Sequence, residues 1–285
     1  MNNHHTSRLI DNFLEEYNSE ESIRRYTPKT AGHGINYLLD HEYGRIYMES
    51  IERYVPKSRL KTGLRLWEFG CGGGMNLLHL VSVLGRRGIP VDFACGTDFS
   101  ETLITAAKNE ASDYIASDQI NKVRFTVASN EGLVDEGAKG LGLSKPELLG
   151  SFDLVFGVNT IRYGHRLNNV DACVEGIRWL LREGGLCIII DMNRKFPAFR
   201  SRFRGWLTER DENATLLPTL EEYARPFSSA GFEILKKENF CWIPHSAGAG
   251  LTAVMKGLTP VLNTLAPSRG MRSLVISRKA SRVSQ

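Results

Sequence analysis

The sequence lacks the features by which membrane-spanning, exported and metal-binding proteins are usually recognised. No stretch approaches the roughly 18 consecutive apolar residues of a transmembrane helix, and the start, Met1-Asn2-Asn3-His4-His5, has neither the basic region nor the apolar stretch of a signal peptide. The five cysteines are scattered, with no C-x-x-C pair that would indicate a metal or redox site. These absences predict a cytoplasmic protein with buried thiols and no metal.

The chain also lacks a strong excess of either charge. It has 36 Lys and Arg against 32 Asp and Glu, and the resulting net charge of +4 is too small on its own to imply nucleic-acid binding. With 285 residues, 42% of them hydrophobic, the chain can bury a substantial core. Strand-like segments alternate with helical patterns as far as the sixth strand, which predicts one large α/β domain.

Glycine, by contrast, is concentrated in segment 70–74, which follows a strand-like run at 64–69 and precedes a helical apolar pattern. Glycines allow a sharp turn at positive φ, and the next helix would point its N-terminal amides at a ligand there. Glu68 would repel a pyrophosphate but attract an ammonium group. Met75 replaces the small residue of a dinucleotide-binding turn, and no Gly-Lys-Ser/Thr follows. The turn therefore favours a nucleotide that carries a cationic amino acid over NAD.

From this turn onward the chain resembles the class I S-adenosylmethionine-dependent methyltransferases, whose first motif is acidic-x-Gly-x-Gly-x-Gly. A second strand ends at Asp98, where the family has an acid that accepts the ribose hydroxyls. A third leads to Ser129-Asn130-Glu131, where the family often has an Asp that holds the adenine amino group. The resemblance implies S-adenosylmethionine as cofactor, S-adenosylhomocysteine as product, and these cofactor-binding residues: Glu68, Gly70, Cys71, Gly72, Gly74, Asn76, Asp98, Phe99, Ser100, Ser129, Asn130, Glu131 and Asn159.

The resemblance also implies the fold. We expect an α/β protein with a doubly wound, mostly parallel seven-stranded sheet, helices on both faces and an antiparallel last strand. The expected organisation is an N-terminal helical cap over residues 1–60 and a methyltransferase domain over 61–285, with insertions at 193–220 and 244–271.

The predicted cap and insertions lie outside the shared core and should select the acceptor. The first insertion opens with Arg194, Lys195, Arg200, Arg202 and Arg204 among aromatic residues, a pattern that would attract an anionic acceptor, a lipid head group or single-stranded nucleic acid, or form a solvated helix face. The predicted substrate-binding residues of the chain are Tyr26, His33, Tyr37, Arg162, Trp242 and His245.

The second insertion carries apolar residues at helical spacing from Leu251 to Leu265. Pro260 should kink this helix or divide it in two. Because the sixth strand would end at the cofactor edge, we expect the helix to cover the acceptor pocket, with packing alone as the alternative.

A polar cluster after the fourth strand, Asn159 to His165, is where the methyl group should point. It lacks the Asp/Asn-Pro-Pro-aromatic motif of methyltransferases that act on nucleic-acid bases. Methyl transfer is a direct displacement, so the enzyme aligns the acceptor and, for a hydroxyl, removes its proton. The predicted catalytic residues are His165, Tyr163 and His41. His165 is the first choice as base because imidazole titrates near neutral pH, and His41 and His245 are its rivals.

These patterns predict methyl transfer to a small or medium-sized acceptor, with an oxygen of a metabolite, sugar or lipid intermediate as the preferred target. The alternatives are N- or C-methylation, and a non-catalytic module that binds RNA or a membrane surface. The expected partner is a small molecule, anionic if the basic insertion binds it, whereas nucleic acid is disfavoured. A monomer and a homodimer both agree with the sequence.

Overall fold

The computed structural model describes Tyr17, Thr27, Pro28 and residues 31–199 and 217–280. Seven strands form one sheet: β1 Leu64–Phe69, β2 Val91–Asp98, β3 Val123–Val127, β4 Phe152–Val158, β5 Leu181–Met192, β6 Phe232–Phe240 and β7 Arg272–Lys279. Their order is β3-β2-β1-β4-β5-β7-β6. The first five strands pair in parallel, whereas β7 is antiparallel to both β5 and β6. The predicted fold is confirmed.

Helices precede the sheet and connect its strands. They are α1 His33–Tyr37, a π-helical turn Leu38–Tyr43, α2 Gly44–Tyr54, α3 Lys57–Thr62, α4 Met75–Arg86, α5 Glu101–Tyr114, α6 Asp135–Leu141, α7 Lys145–Leu148, α8 Ile161–Leu167, α9 Val170–Leu180, α10 Leu220–Ser229 and α11 Ala249–Leu265. Within the described part of the chain, none of these helices is long and apolar enough to cross a membrane.

The sheet is covered on both faces because its central strands carry apolar side chains on both sides. Leu66 and Leu154 belong to a buried cluster that includes side chains of α2, α4 and α5. Their sequence neighbours Trp67 and Val155 point to the other face, into a cluster with α9 and α10. Because these strands are parallel, the carboxyl ends of β1, β2, β4 and β5 lie at one edge of the sheet, and loops follow them there.

The described part of residues 1–60 is helical and packs directly on the sheet. Tyr47 of α2 is fully buried, and its ring centre lies 5.1 Å from that of Phe156 on β4. Gly34 of α1 lies so close to the carbonyl of Pro244 that a Cβ there would approach it to 2.7 Å. The assignment of residues 1–60 as a separate cap stays a prediction, and residues 1–16, 18–26 and 29–30 lie outside the described part.

The helix of the second insertion is continuous. α11 runs through Pro260, so of the two predicted outcomes, a kink or a division, the division does not occur; a proline removes one backbone hydrogen bond but need not end a helix. Much of its apolar stripe is exposed, up to 78% at Leu265, while Met255 and Leu262 make its packing contacts. The sequence period shows that a helix forms but not which of its sides has a neighbour.

Candidate active site

The turn after β1 needs glycine for steric reasons. Gly70, Gly72 and Gly74 have φ angles of 59°, 54° and 79°, in the left-handed region. A side chain at Gly70 would also collide with Thr160, and a Cβ at Gly74 would lie 2.7 Å from the ring of Phe125. Glycine is therefore required at Gly70 and Gly74 both by the backbone conformation and by the side chains of Thr160 and Phe125 that pack against the turn.

Glu68 lies beneath this turn. Its side chain is fully buried, and Oε2 accepts a hydrogen bond of 2.9 Å from the Leu77 N–H, which caps the first turn of α4. Burial raises the pKa of Glu68 well above its usual value, against the effect of that hydrogen bond. Glu68 Oε1 and Asn76 Oδ1 are buried and have no hydrogen-bond partner among the described residues. The attraction of Glu68 for an ammonium group stays a prediction.

Asp98 joins the end of β2 to the glycine turn. Its Oδ2 accepts from the Gly72 N–H at 2.9 Å and its Oδ1 from the Ser100 N–H at 3.0 Å. Burial raises the pKa of Asp98 to about 6, and these backbone hydrogen bonds oppose the shift. Each carboxylate oxygen has further lone pairs, so Asp98 can accept two more hydrogen bonds from a ligand such as a ribose.

Tyr17 covers this end of β2, and the sequence analysis did not single it out. The Tyr17 carbonyl accepts a hydrogen bond of 3.0 Å from the Ser100 hydroxyl, and its ring lies edge-on to that of Phe99 at 5.7 Å. Its hydroxyl forms a hydrogen bond with that of Tyr163. The available signal in the sequence was its spacing of four residues from Phe13, which is typical of one face of a helix.

The segment after β3 contacts the loop after β4. Asn130 Nδ2 donates to Thr160 Oγ1 at 2.9 Å, and Ser129 Oγ accepts from the Gly132 N–H at 3.0 Å. Glu131 is exposed. Their predicted contacts with adenine stay predictions.

Arg162 and Asp191 form a buried ion pair between α8 and the end of β5. The Arg162 N–H and Nη1 each donate to a different oxygen of Asp191 at 3.0 Å. Nη2 donates to the Tyr163 hydroxyl at 2.8 Å, and the guanidinium lies 4.6 Å from the centre of that ring. The pair thus fixes Tyr163 beside Tyr17.

Arg272 is the largest charged side chain that is fully buried at this edge, and the sequence analysis did not identify it. Its Nη1 donates to Asn159 Oδ1 at 2.7 Å, whereas Nε and Nη2 have no acceptor among the described residues. Asn159 has a φ of 56°, a conformation that asparagine adopts more readily than most residues. Because β7 is antiparallel, its first residue lies at the edge where the parallel strands end, which a motif search along the chain does not show.

His245 lies in the loop between β6 and α11. Its Nε2 is 3.2 Å from the Tyr43 hydroxyl. Burial, followed by the charges of Arg272 and Arg162, lowers the pKa of His245 well below its usual value. The imidazole is therefore neutral at physiological pH.

The two histidines that the sequence analysis placed among the catalytic residues lie elsewhere. The His165 ring is perpendicular to that of Tyr223 on α10 at 5.5 Å, and burial lowers its pKa. His41 is exposed, with its ring 4.7 Å from that of Tyr37. Their catalytic roles stay predictions.

The remaining predicted acceptor residues are spread over the surface near α11. His33 is exposed, Tyr37 lies 5.7 Å from the Lys256 ammonium, and buried Trp242 donates to Asn263 at 2.8 Å. Arg194 pairs with Glu222 on α10 at 2.9 Å. The predicted contacts of Tyr26 and of Arg200, Arg202 and Arg204 lie outside the described residues.

Comparisons with known proteins bear on this site. A sequence profile described as a methyltransferase domain matches residues 39–237. The chain belongs to the class I S-adenosylmethionine-dependent methyltransferases.

The chain is similar to parts of proteins of very different lengths. The chain is 24% identical over 196 residues to citrinin polyketide synthase of Monascus ruber, which covers 67% of this chain but 7% of the synthase. It is 26% identical over 188 residues to a ubiquinone biosynthesis O-methyltransferase of Brucella melitensis biotype 2, which covers 64% of this chain and 65% of that protein. The structure of the DszA carbon methyltransferase matches with a TM-score of 0.55 and 17% identity over 88% of this chain and 58% of that one, which shows the shared fold.

The residues at the carboxyl edge fit S-adenosylmethionine. When bound, this cofactor supplies an electrophilic methyl group on a sulfonium. The left-handed glycine turn would lie against the cofactor, and Asp98 would accept hydrogen bonds from two hydroxyls. Glu68 Oε1 and Asn76 Oδ1, which are buried and have no partner among the described residues, would accept hydrogen bonds from an ammonium group.

Proposed function

We propose that this methyltransferase acts on an oxygen of a small or medium-sized acceptor, with His245 as the general base. The observation that carries the proposal is the neutral His245 beside Tyr43 and near the charges of Arg272 and Arg162, at the edge of the sheet where the parallel strands end. A neutral imidazole can take a proton from an acceptor hydroxyl. His165 is the weaker candidate because its ring rests against Tyr223.

The proposed role requires the tautomer in which Nε2–H donates to the Tyr43 oxygen, 3.2 Å away, because the lone pair of Nδ1 then receives the proton of the acceptor. Burial raises the pKa of the Tyr43 hydroxyl, so Tyr43 stays protonated and neutral. A base of lowered pKa is a weak one, so an acidic hydroxyl, such as that of a phenol or an enol, suits it better than an aliphatic alcohol, whose proton affinity is much higher.

A carbon acceptor is the second candidate, and the fold similarity to a carbon methyltransferase favours it. A carbon between two carbonyl groups also loses a proton before it attacks a methyl group. The same base and the same neighbouring guanidinium groups would serve the resulting enolate. The attacking atom, rather than the site, distinguishes the two candidates.

Product analysis distinguishes them directly. The purified protein is incubated with S-adenosylmethionine and either 3,4-dihydroxyacetophenone or 2,4-pentanedione, and the position of the new methyl group is determined by NMR. We expect an O-methyl product. Transfer to carbon alone would replace the first candidate by the second, and absence of transfer over a wider panel of phenols and enols would contradict both.

Two matched substitutions test the base. His245→Gln should lower kcat by about 10²–10⁴-fold, because a positioned base contributes about that much. His165→Gln is the control and should retain most activity. Calorimetry with S-adenosylhomocysteine should give unchanged cofactor affinity in both variants. Equal losses of kcat in both, or full activity of His245→Gln, would contradict the assignment.

A further inference from the structure

Arg272 has one edge of its guanidinium group without a hydrogen-bond partner among the described residues. Nη1 is bonded to Asn159, whereas Nε and Nη2, which lie on the same side of the planar group, have no acceptor among the described residues. An Nε–Nη2 edge offers two parallel N–H groups at the spacing of two carboxylate oxygens. The side chain is fully buried, so bulk water does not replace that partner.

The charges around Arg272 do not balance. Arg162 and Arg272 are two cations at this edge, and Asp191, at the end of β5, is a buried carboxylate that pairs with Arg162 alone among the two. Both Asp191 oxygens already accept hydrogen bonds from Arg162, and Oδ1 also accepts from the Met192 N–H at 2.7 Å. His245 is neutral. A buried group of this composition carries one positive charge in excess, which an anionic ligand would neutralise.

We propose that the Nε–Nη2 edge of Arg272 binds a carboxylate of the methyl acceptor. This proposal rests on the proposed function, since it assigns a substrate class to the same site. The acceptor is then an acid that carries its reactive hydroxyl or carbon at a distance from the carboxylate, so that Arg272 holds one end while His245 faces the other.

The cofactor also has a carboxylate, which is the rival occupant of this edge. Asp98 and the glycine turn lie at the ends of β2 and β1. The backbone of Arg272 begins β7, which β4 and β5 separate from β1 in the sheet, a separation of about 14 Å at the usual strand spacing. Its guanidinium, however, is bonded to Asn159 at the end of β4, next to β1, so a titration must separate the two sources of a carboxylate.

The first experiment uses small probes on the protein saturated with S-adenosylhomocysteine. Benzoate and acetate are titrated while the Nε–H signal of Arg272 is followed by NMR, with benzamide and acetamide as neutral controls. We expect the acids alone to shift the signal. In Arg272→Lys, which keeps the charge but loses the two-donor edge, the acids should bind about tenfold or more weakly. Arg182→Lys, at the opposite end of the sheet, is the matched control and should bind as the wild type does.

The second experiment separates the two sources of a carboxylate. S-Adenosylhomocysteine and 5′-methylthioadenosine, which lacks the amino-acid part, are titrated into wild type and Arg272→Lys. We expect both affinities to be unchanged. A loss confined to S-adenosylhomocysteine would assign Arg272 to the cofactor and overturn the proposal.

The outcomes are distinguishable from failure of the proposed function. If the acids bind through Arg272 but no acceptor is methylated at oxygen, the anion site stands and the reaction was misassigned. If neither acid moves the Arg272 signal in the wild type, or neutral amides move it equally, Arg272 is a structural partner of Asn159. The wild-type titration decides this even if the lysine variant fails to fold.

Discussion

The two ends of the sheet each bury an aspartate near two arginines, but only the amino end pairs both arginines. There, Asp153 at β4 accepts hydrogen bonds from Arg59 at 3.0 and 2.9 Å and from Arg182 at 2.5 Å. Its arginines remain partly exposed, with 33% and 23% of their side-chain surface accessible. Burial tends to raise the pKa of Asp153, but the hydrogen bonds from Arg59, the Arg65 N–H and Arg182 outweigh it, so the pKa is lowered.

At the carboxyl end, Asp191 binds Arg162 but leaves Arg272 with a neutral amide partner. The Arg162 side chain retains 13% of its surface and Arg272 is fully buried. The two ends therefore differ in how their arginines are paired. At the amino end a buried aspartate pairs with two partly exposed arginines and stabilises the fold, whereas Arg272 at the carboxyl end is buried with two donor groups that have no acceptor among the described residues.

The largest expected effect comes from breaking the amino end. Asp153→Ala leaves two arginines without their carboxylate, and we expect a loss of about 2–4 kcal/mol in the free energy of unfolding, below the fully buried range because both arginines reach water. Urea unfolding followed by circular dichroism measures it. Cofactor affinity of the folded fraction should not change. A loss under about 1 kcal/mol would show that this cluster contributes little.

Asp153 should also make the stability of the protein depend on pH in the acidic range. A carboxyl whose pKa is lowered on folding contributes stability above its unfolded pKa of about 4. That contribution is lost as the pH falls through the lowered pKa of Asp153. The difference in stability between wild type and Asp153→Ala should therefore shrink at acidic pH.

A smaller effect per hydrogen bond is expected at Asp98, on binding rather than on folding. Asp98→Ala removes the acceptor of two ribose hydroxyls, and we expect a loss of roughly 1.5–3 kcal/mol per hydrogen bond in affinity for S-adenosylhomocysteine. Asp98→Asn should give an intermediate value. Calorimetry measures both, and wild-type affinity in the alanine variant would remove Asp98 from the cofactor site.

The pH dependence of binding provides an independent check on Asp98. Its pKa is raised to about 6 by burial, and the ionised form is the better acceptor, so affinity should fall as the pH drops through 6. Because the pKa of Asp98 is higher in the folded than in the unfolded state, protonation of Asp98 stabilises the folded protein as the pH falls from about 6 to about 4. Unfolding caused by Asp98 would therefore not explain the loss of cofactor affinity. Asp98→Asn should show a flat profile over this range.

The sequence predicted the sheet and the turn but not the arrangement around Arg272, and the reason is physical. Gly70, Asp98 and the strands between them follow one another closely, so their order along the chain reports their position in space. Arg272 meets Asn159 across more than a hundred residues, and only the antiparallel direction of β7 brings them together. Tyr17 was missed because aromatic residues in a helical stripe usually indicate packing.

A direct comparison of the two ends replaces one arginine at each. Arg182→Met removes a partner of Asp153 and should lower the free energy of unfolding by about 1–2 kcal/mol. Arg272→Met removes a buried charge that has no carboxylate partner among the described residues, and should leave stability unchanged or raise it by about 1 kcal/mol. Urea unfolding measures both. Equal destabilisation would show that Arg272 has a structural role like that of Arg182.

The smallest expected effect is on α11, which follows the His245 loop at the carboxyl end. Val261 is more than half exposed, so Val261→Ser should change the free energy of unfolding by less than about 0.5 kcal/mol. Its neighbour Leu262 is packed, so Leu262→Ser should lower the free energy of unfolding by about 1–2 kcal/mol. Steady-state kinetics then test the predicted cover over the acceptor. If the exposed stripe contacts the acceptor, Val261→Ser raises the KM for the acceptor without changing cofactor affinity. If that KM is unchanged while Leu262→Ser reduces stability, α11 contributes to the site only by packing behind Trp242. The acceptor is then held by the buried groups around Arg272.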